Sequence, residues 1–153
     1  MTTFTDVADL QSAVGTLLGP TDWVTVTQAR IDGFADATDD HQWIHVDPVR
    51  AADGPFGGTI AHGYLTLALV GRFTTEILDL AFTDSVINYG VNRVRFPSPA
   101  PVGSLLRARV RLDALDTTPR GAQLTITTTV EREGDDRPVC IAETLLLLPG
   151  VVL

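Results

Sequence analysis

Between Ala61 and Leu80 the apolar residues recur at helical intervals: Leu65, Leu69, Phe73, Ile77 and Leu80 are spaced by four, four, four and three. Leu67, Val70 and Leu78 fill other faces, leaving a narrow polar strip at Arg72, Thr75, Glu76 and Asp79. A helix that is apolar on nearly every side belongs inside a fold. The spacing therefore predicts one long, mostly buried helix over 61–80.

Beyond it the period changes to two. Arg107, Arg109 and Arg111 alternate with Ala108, Val110 and Leu112, and the same alternation runs through Leu124, Ile126, Thr128 and Val130, then Val139, Ile141 and Leu145. Alternation of this kind marks half-buried antiparallel strands. Asp116 to Gly121 and Gly134 to Pro138 supply the turn chemistry between them. Residues 84–96 and 21–27 add two further strands, for five in all. Helical pieces are expected at 6–18, 28–37 and 48–53, the last with Asp47 as N-cap and Pro48 in its first turn. No linker or repeat divides the chain, so residues 1–153 form one α+β domain, an antiparallel sheet covered on one side by the long helix.

Charge narrows the function. Eleven basic residues, all arginine, face 19 acids for a net charge of −8. With no lysine, Schiff-base chemistry and a P-loop are excluded, and the negative surplus disfavours nucleic acid and anionic membranes. Cys140 is the one cysteine and lies within an apolar alternation, so it reads as packing. The N-terminus lacks a basic start followed by an apolar run, so a cytoplasmic location is expected.

All three histidines lie between positions 41 and 62, two of them in Asp39-Asp40-His41-Gln42-Trp43-Ile44-His45. Five residues on a regular helix turn through about 140°. Asp40 and His45 can therefore cooperate only if the chain leaves helical geometry after Asp40. A carboxylate and an imidazole so joined are suited to general acid–base work on a water molecule. A second stretch, Gly54-Pro55-Phe56-Gly57-Gly58-Thr59-Ile60-Ala61-His62-Gly63, runs straight into the long helix. First-turn N–H groups have no intrahelical partner, which makes the Gly63 amide a candidate oxyanion donor. His41 and His45 are four apart, but no glutamate stands between them and Pro48 follows soon after, so a zinc site is not expected. The serine elbow, the dinucleotide fingerprint and the Walker segment are all missing from the sequence. Arg93 and Arg95 precede Phe96-Pro97 and are suited to holding a carrier's phosphates.

With these pieces in place, the chain resembles the MaoC-like dehydratases, which include the (R)-specific enoyl-CoA hydratases of the hotdog fold. The resemblance rests on FADATDDHQWIHVDP at 34–48, GPFGGTIAHGYLTLAL at 54–69 and NYGVNRVRFPSPAPVGS at 88–104. It implies a central helix wrapped by an antiparallel sheet, a homodimer, and a place in fatty-acid metabolism. The implied reaction is hydration of trans-2-enoyl thioesters, on coenzyme A or an acyl carrier protein, to (R)-3-hydroxyacyl thioesters. By motif match it assigns Asp40 and His45 as the catalytic pair and the Gly63 N–H as carbonyl donor. Gln42, His62, Arg93 and Arg95 make up the expected substrate-binding set, and Gly71 falls where a serine would join the site. No metal or organic cofactor is required, because water and two side chains suffice. Two alternatives stand beside this reading: a hotdog acyl-CoA thioesterase and a non-catalytic acyl-thioester-binding subunit.

Overall fold

In the computed structural model, which describes residues 1–153, the chain begins with β1 (Thr2–Phe4), α1 (Val7–Ser12), β2 (Leu17–Leu18) and β3 (Val24–Thr25). It continues through α2 (Gln28–Thr38), α3 (Trp43–Val46), α4 (Pro48–Ala52) and α5 (Gly63–Ile77). It then forms β4 (Leu78–Leu80), β5 (Ile87–Arg95), β6 (Leu105–Thr118), β7 (Gly121–Arg132) and β8 (Cys140–Pro149). The main sheet has six strands in the order β2-β6-β7-β8-β5, with β3 also pairing β6, and all its pairings are antiparallel.

The inner face of this sheet is built by alternation. Ala108, Val110 and Leu112 on β6, Leu124, Ile126 and Val130 on β7, and Cys140, Ala142 and Leu146 on β8 are all buried. They close around Leu65, Leu69, Phe73 and Ile77 of α5, as the spacing predicts. Burying one such side chain contributes about 1.5–3 kcal/mol, so the sheet and the helix hold each other in place. The α+β hotdog arrangement expected from the sequence is the one observed. No helix is long and apolar enough to cross a membrane.

Four boundaries differ from expectation. The long helix stops at Ile77, and Leu78–Leu80 pair in parallel with Thr2–Phe4. Leu78 and Leu80 are buried on either side of the half-buried Asp79, a period of two that the heavily apolar helix conceals. The helical piece at 6–18 ends at Ser12, because Gly15 takes a φ of +92° and sends its N–H to the Leu112 carbonyl, and Leu17–Leu18 join the sheet. The expected strand at 21–27 is reduced to Val24–Thr25, paired with Leu105–Leu106. The expected turn at 116–121 is likewise taken up mostly by strand, since β6 runs to Thr118. The sequence pattern does not foresee α3, and β8 turns Cys140, Ala142 and Thr144 inward rather than Ile141. The elements α2, α4 and β5 to β7 lie close to where the pattern puts them, α4 with its Asp47 Oδ1 accepting from the Arg50 N–H at 3.0 Å and Pro48 at its start.

Candidate active site

The site begins where α2 ends. Asp39 occupies the left-handed region at φ 57° and stops the helix, so Asp40 follows in open chain and α3 resumes only at Trp43. This break satisfies the geometric condition that an Asp/His pair five residues apart imposes. His45 lies on α3 and is 6% exposed, whereas the Asp40 side chain is 54% exposed. The Asp40 carboxylate, a ring nitrogen of His45 and a ring nitrogen of His62 lie within 4.8 Å of one another. One water molecule spans such a gap with two ordinary hydrogen bonds of about 2.8 Å each.

The protonation of His45 follows from its partners. Its Nδ1 lies 2.7 Å from the Ile60 carbonyl oxygen. A carbonyl only accepts, so Nδ1 carries the hydrogen and Nε2 keeps a free lone pair. Burial holds the His45 pKa below its ordinary 6.5, and the neighbouring His62 pushes in the same direction. The Ile60 bond and the Asp40 charge oppose that shift without reversing it. The result is a neutral imidazole at physiological pH with its accepting nitrogen available.

His62 stacks on His45, with ring centroids 3.7 Å apart and planes inclined by 26°. It is 2% exposed, and its Nε2–H donates to the Asp40 carbonyl oxygen at 2.9 Å. Asp40, His45 and His62 are also the donors that a metal would use. The Nδ1 of His45 and the Nε2 of His62 are committed to carbonyls, however, and nearly parallel rings cannot both direct a lone pair in plane at one ion. The arrangement suits a water between Asp40 and His45 better than a metal. His41 takes no part, since its Nε2 pairs with Asp36 at 3.0 Å on the surface, and this contact raises its pKa.

Gly63 is the first residue of α5, and its N–H meets no acceptor in the protein; the first bonds to the His62 carbonyl come from Leu65 and Thr66. A Cβ at Gly63 would lie 2.9 Å from the Phe96 ring, so only glycine lets that ring sit against the amide. A cavity of about 320 Å³ opens beside Gly63, lined among others by Phe56, Ile60, Thr66, Phe96 and Val139. The Thr66 hydroxyl is turned back onto the Gly63 carbonyl at 2.7 Å.

Gln42 ends the open segment with its side chain exposed to solvent. Arg93 and Arg95 are not beside the pair: with Arg111, Thr127, Ile141 and Glu143 they line a separate outer-face pocket of about 360 Å³. Arg95 is nevertheless the chain neighbour of Phe96. Gly71 lies two turns beyond Gly63, about 12 Å along the helix. It lines another groove with Leu67, Thr74, Asn88 and Gly90, so a hydroxyl there would stand away from the amide.

Sequence reasoning missed the clamp behind the pair. Gln28 on α2 donates to the His45 carbonyl at 2.8 Å, and its Oε1 accepts from the buried Thr59 hydroxyl at 2.5 Å. A glutamine in the first turn of an amphipathic helix gives no sequence signal of this; only the tertiary return of Thr59 and Ile60 brings it out.

Comparison with known proteins identifies the family. The family model of the MaoC-like domain matches residues 9–134. The chain is 52% identical over 147 residues to the 3-hydroxyacyl-thioester dehydratase Z of Mycobacterium tuberculosis, covering 95% of this chain and 97% of that one. It is 45% identical over 147 residues to nodulation protein N of Rhizobium leguminosarum bv. viciae, covering 93% and 90%. Among solved structures, the (R)-hydratase from A. caviae involved in PHA biosynthesis superposes with a TM-score of 0.68 at 25% identity, covering 89% of this chain and 96% of that one. The chain belongs to the MaoC-like dehydratase family and is a hydro-lyase.

Proposed function

We propose that the protein interconverts trans-2-enoyl thioesters and (R)-3-hydroxyacyl thioesters by adding or removing a single water held between Asp40 and His45. The observation that carries this reading is the convergence of the Asp40 carboxylate on the buried His45 imidazole, with the unbonded helix-terminal amide of Gly63 next in the chain to His62, whose ring stacks on His45. In hydration, the free Nε2 of His45 takes a proton from the water as its oxygen bonds to C3. The electron pair of the C2–C3 double bond passes into the thioester carbonyl, whose developing charge the Gly63 N–H stabilises. When the enolate collapses, the imidazolium gives its proton to C2. Asp40 accepts the other hydrogen of the water and holds its oxygen against C3. Dehydration retraces these steps.

The remaining assignments fit around this centre. Gln42, exposed between Asp40 and His45 in the chain, would hydrogen-bond the thioester arm. Arg93 and Arg95, which line a separate outer-face pocket but lead in the chain to Phe96, would meet the phosphates of a coenzyme A or acyl-carrier-protein thioester. A homodimer is supported by β5, which ends the sheet and exposes Ile87, Tyr89 and Val91 along an unpaired edge.

Crotonyl-CoA provides the direct test. Loss of enoyl absorbance without release of free thiol, giving the (R)-product, is the expected outcome, and a chelator leaves the rate unchanged. Thiol release instead would turn the reading to thioester hydrolysis. Asp40→Asn and His45→Gln each abolish hydration with the fold intact; near-parental turnover in both would remove the proposal.

A further inference from the structure

Asp40 is poorly secured for a group that must hold a water to within a fraction of an ångström. It follows a residue in the left-handed region, belongs to no helix or strand, and projects a side chain that is more than half exposed. Its carboxylate makes no hydrogen bond within the protein. The one bond that Asp40 does make is through its carbonyl, which accepts from His62 Nε2–H at 2.9 Å.

His62 is held as tightly as Asp40 is loosely held. Its backbone caps α5, with its carbonyl accepting from Leu65 at 3.0 Å and Thr66 at 3.2 Å. Its ring lies between Phe34, at a centroid distance of 5.0 Å, and His45, at 3.7 Å. At 2% exposure it is closed off from solvent and is not among the residues lining the cavity beside Gly63. Its Nδ1 is buried and has no hydrogen-bond partner. Leaving a buried polar atom unsatisfied costs about 1–3 kcal/mol, a cost that an aromatic hydrocarbon packed in the same space would not carry. A side chain chosen only for packing would not incur it.

We propose that His62 is the positioning residue of this centre. One hydrogen bond to Asp40, one ring stack on His45 and one peptide bond to Gly63 set the three reacting groups relative to one another. The carboxylate takes its place from the start of the buried helix rather than from its own exposed loop. The stack fixes the tilt of the His45 ring, whose only other anchor is the Ile60 carbonyl. This proposal rests on the dehydration reading and adds to it the origin of the alignment. Misplacing a reacting group by about 1 Å costs on the order of 100-fold in rate.

Two variants separate the bond from the stack. His62→Phe keeps an aromatic ring against His45 but cannot donate to Asp40; His62→Gln keeps an N–H at comparable reach. The expected result for His62→Phe is a kcat about 100-fold lower, a KM within threefold of the parent, and a melting temperature equal to or above it, since the unpartnered nitrogen is gone. His62→Gln recovers most of the lost kcat. Long-range proton–nitrogen NMR on the unaltered protein, read without substrate, shows His62 protonated at Nε2 and His45 at Nδ1. A kcat for His62→Phe within threefold of the parent, a loss confined to KM, or a His62 proton on Nδ1 overturns the proposal. If His62→Phe does not fold, the tautomer measurement decides. No turnover of any enoyl thioester by the unaltered protein overturns the dehydration reading, an outcome distinguishable because the tautomers are measured independently of activity.

Discussion

Adding a single methyl group at Gly63 tests whether the amide and the ring beside it act as a unit. In Gly63→Ala the new Cβ lies 2.9 Å from Phe96 Cδ2, 3.0 Å from Cε2 and 3.1 Å from Cγ. Carbon atoms in comfortable contact stand about 3.5–4.0 Å apart, so the ring must retreat by roughly 0.5–1 Å. Phe96 is 42% exposed, so that retreat is toward solvent rather than into packed core. Overpacking usually costs about 1–3 kcal/mol. Here the yielding ring keeps the cost at the low end, and exchanging glycine for alanine in a helix returns about 0.5–1 kcal/mol. The net change in unfolding free energy, measured by urea titration, is expected within about 1 kcal/mol of zero. Activity should respond quite differently, because the methyl group stands next to the donating N–H and the displaced ring admits water to it. Losing one such donor costs about 100- to 1,000-fold in kcat, so steady-state hydration of crotonyl-CoA should fall by about 100-fold or more in a protein that melts normally. A kcat within threefold of the parent would refute the role given to this amide. Gly63→Ala combined with Phe96→Ala separates the two causes: recovery of rate assigns the loss to the displaced ring, and no recovery assigns it to the shielded amide.

Gln28→Leu removes the donor to the His45 carbonyl and the acceptor of the Thr59 hydroxyl together. Two polar groups left unpaired should lower unfolding free energy by about 2–4 kcal/mol, with a reduced kcat; a change below about 0.5 kcal/mol in urea denaturation would show that the clamp is not holding them. Because the His45 pKa is held below 6.5, the base form persists into mildly acidic solution, and the acid limb of kcat/KM should titrate below 6.5. The same shift has a stability consequence. Below 6.5 the unfolded chain binds a proton that folded His45 refuses, so stability falls as the pH drops from 6.5 toward the folded value. His41, raised by Asp36, contributes with the opposite sign, so the His45 component is read as the difference between the parent and His45→Gln.

Much of this was legible from residue spacing alone. The four-residue rhythm of Leu65, Leu69 and Phe73 announces the central helix, and the alternations on β6 and β7 announce the sheet around it, each reporting a face that the finished fold buries. On β8 the strand is legible but its phase is not: Cys140, Ala142 and Thr144 face inward while Ile141 is exposed, because apolar residues stand on both faces of that strand. The break after Asp40 was readable as a requirement, since no continuous helix brings Asp40 and His45 together, and Asp39 in the left-handed region meets it. What escaped was set by distant partners. Leu78–Leu80 leave the helix because Thr2–Phe4 offer a ladder, and Leu17–Leu18 turn into strand because Leu112 accepts the Gly15 N–H. His62 belongs to the expected substrate-binding set, and nothing in the sequence around it signals that it is 2% exposed. Its burial depends on Phe34 and His45 closing over it from other elements.

The chain between His45 and Ile60 departs from one point and returns to it. Ile60 N–H donates to the Ile44 carbonyl at 3.0 Å, and the Ile60 carbonyl accepts from His45 Nδ1–H at 2.7 Å. Everything from Asp47 to Gly58 is thus a sealed excursion whose base is knotted beneath the reacting groups. Doubling the length of such a loop adds only about 0.6 kcal/mol of closure entropy. Segments spliced at the exposed Phe56-Gly57 tip would therefore reshape the rim of the cavity beside Gly63 while His45 and Ile60 kept their places, so what that cavity admits can drift here without the pairing of Asp40 and His45 being rebuilt.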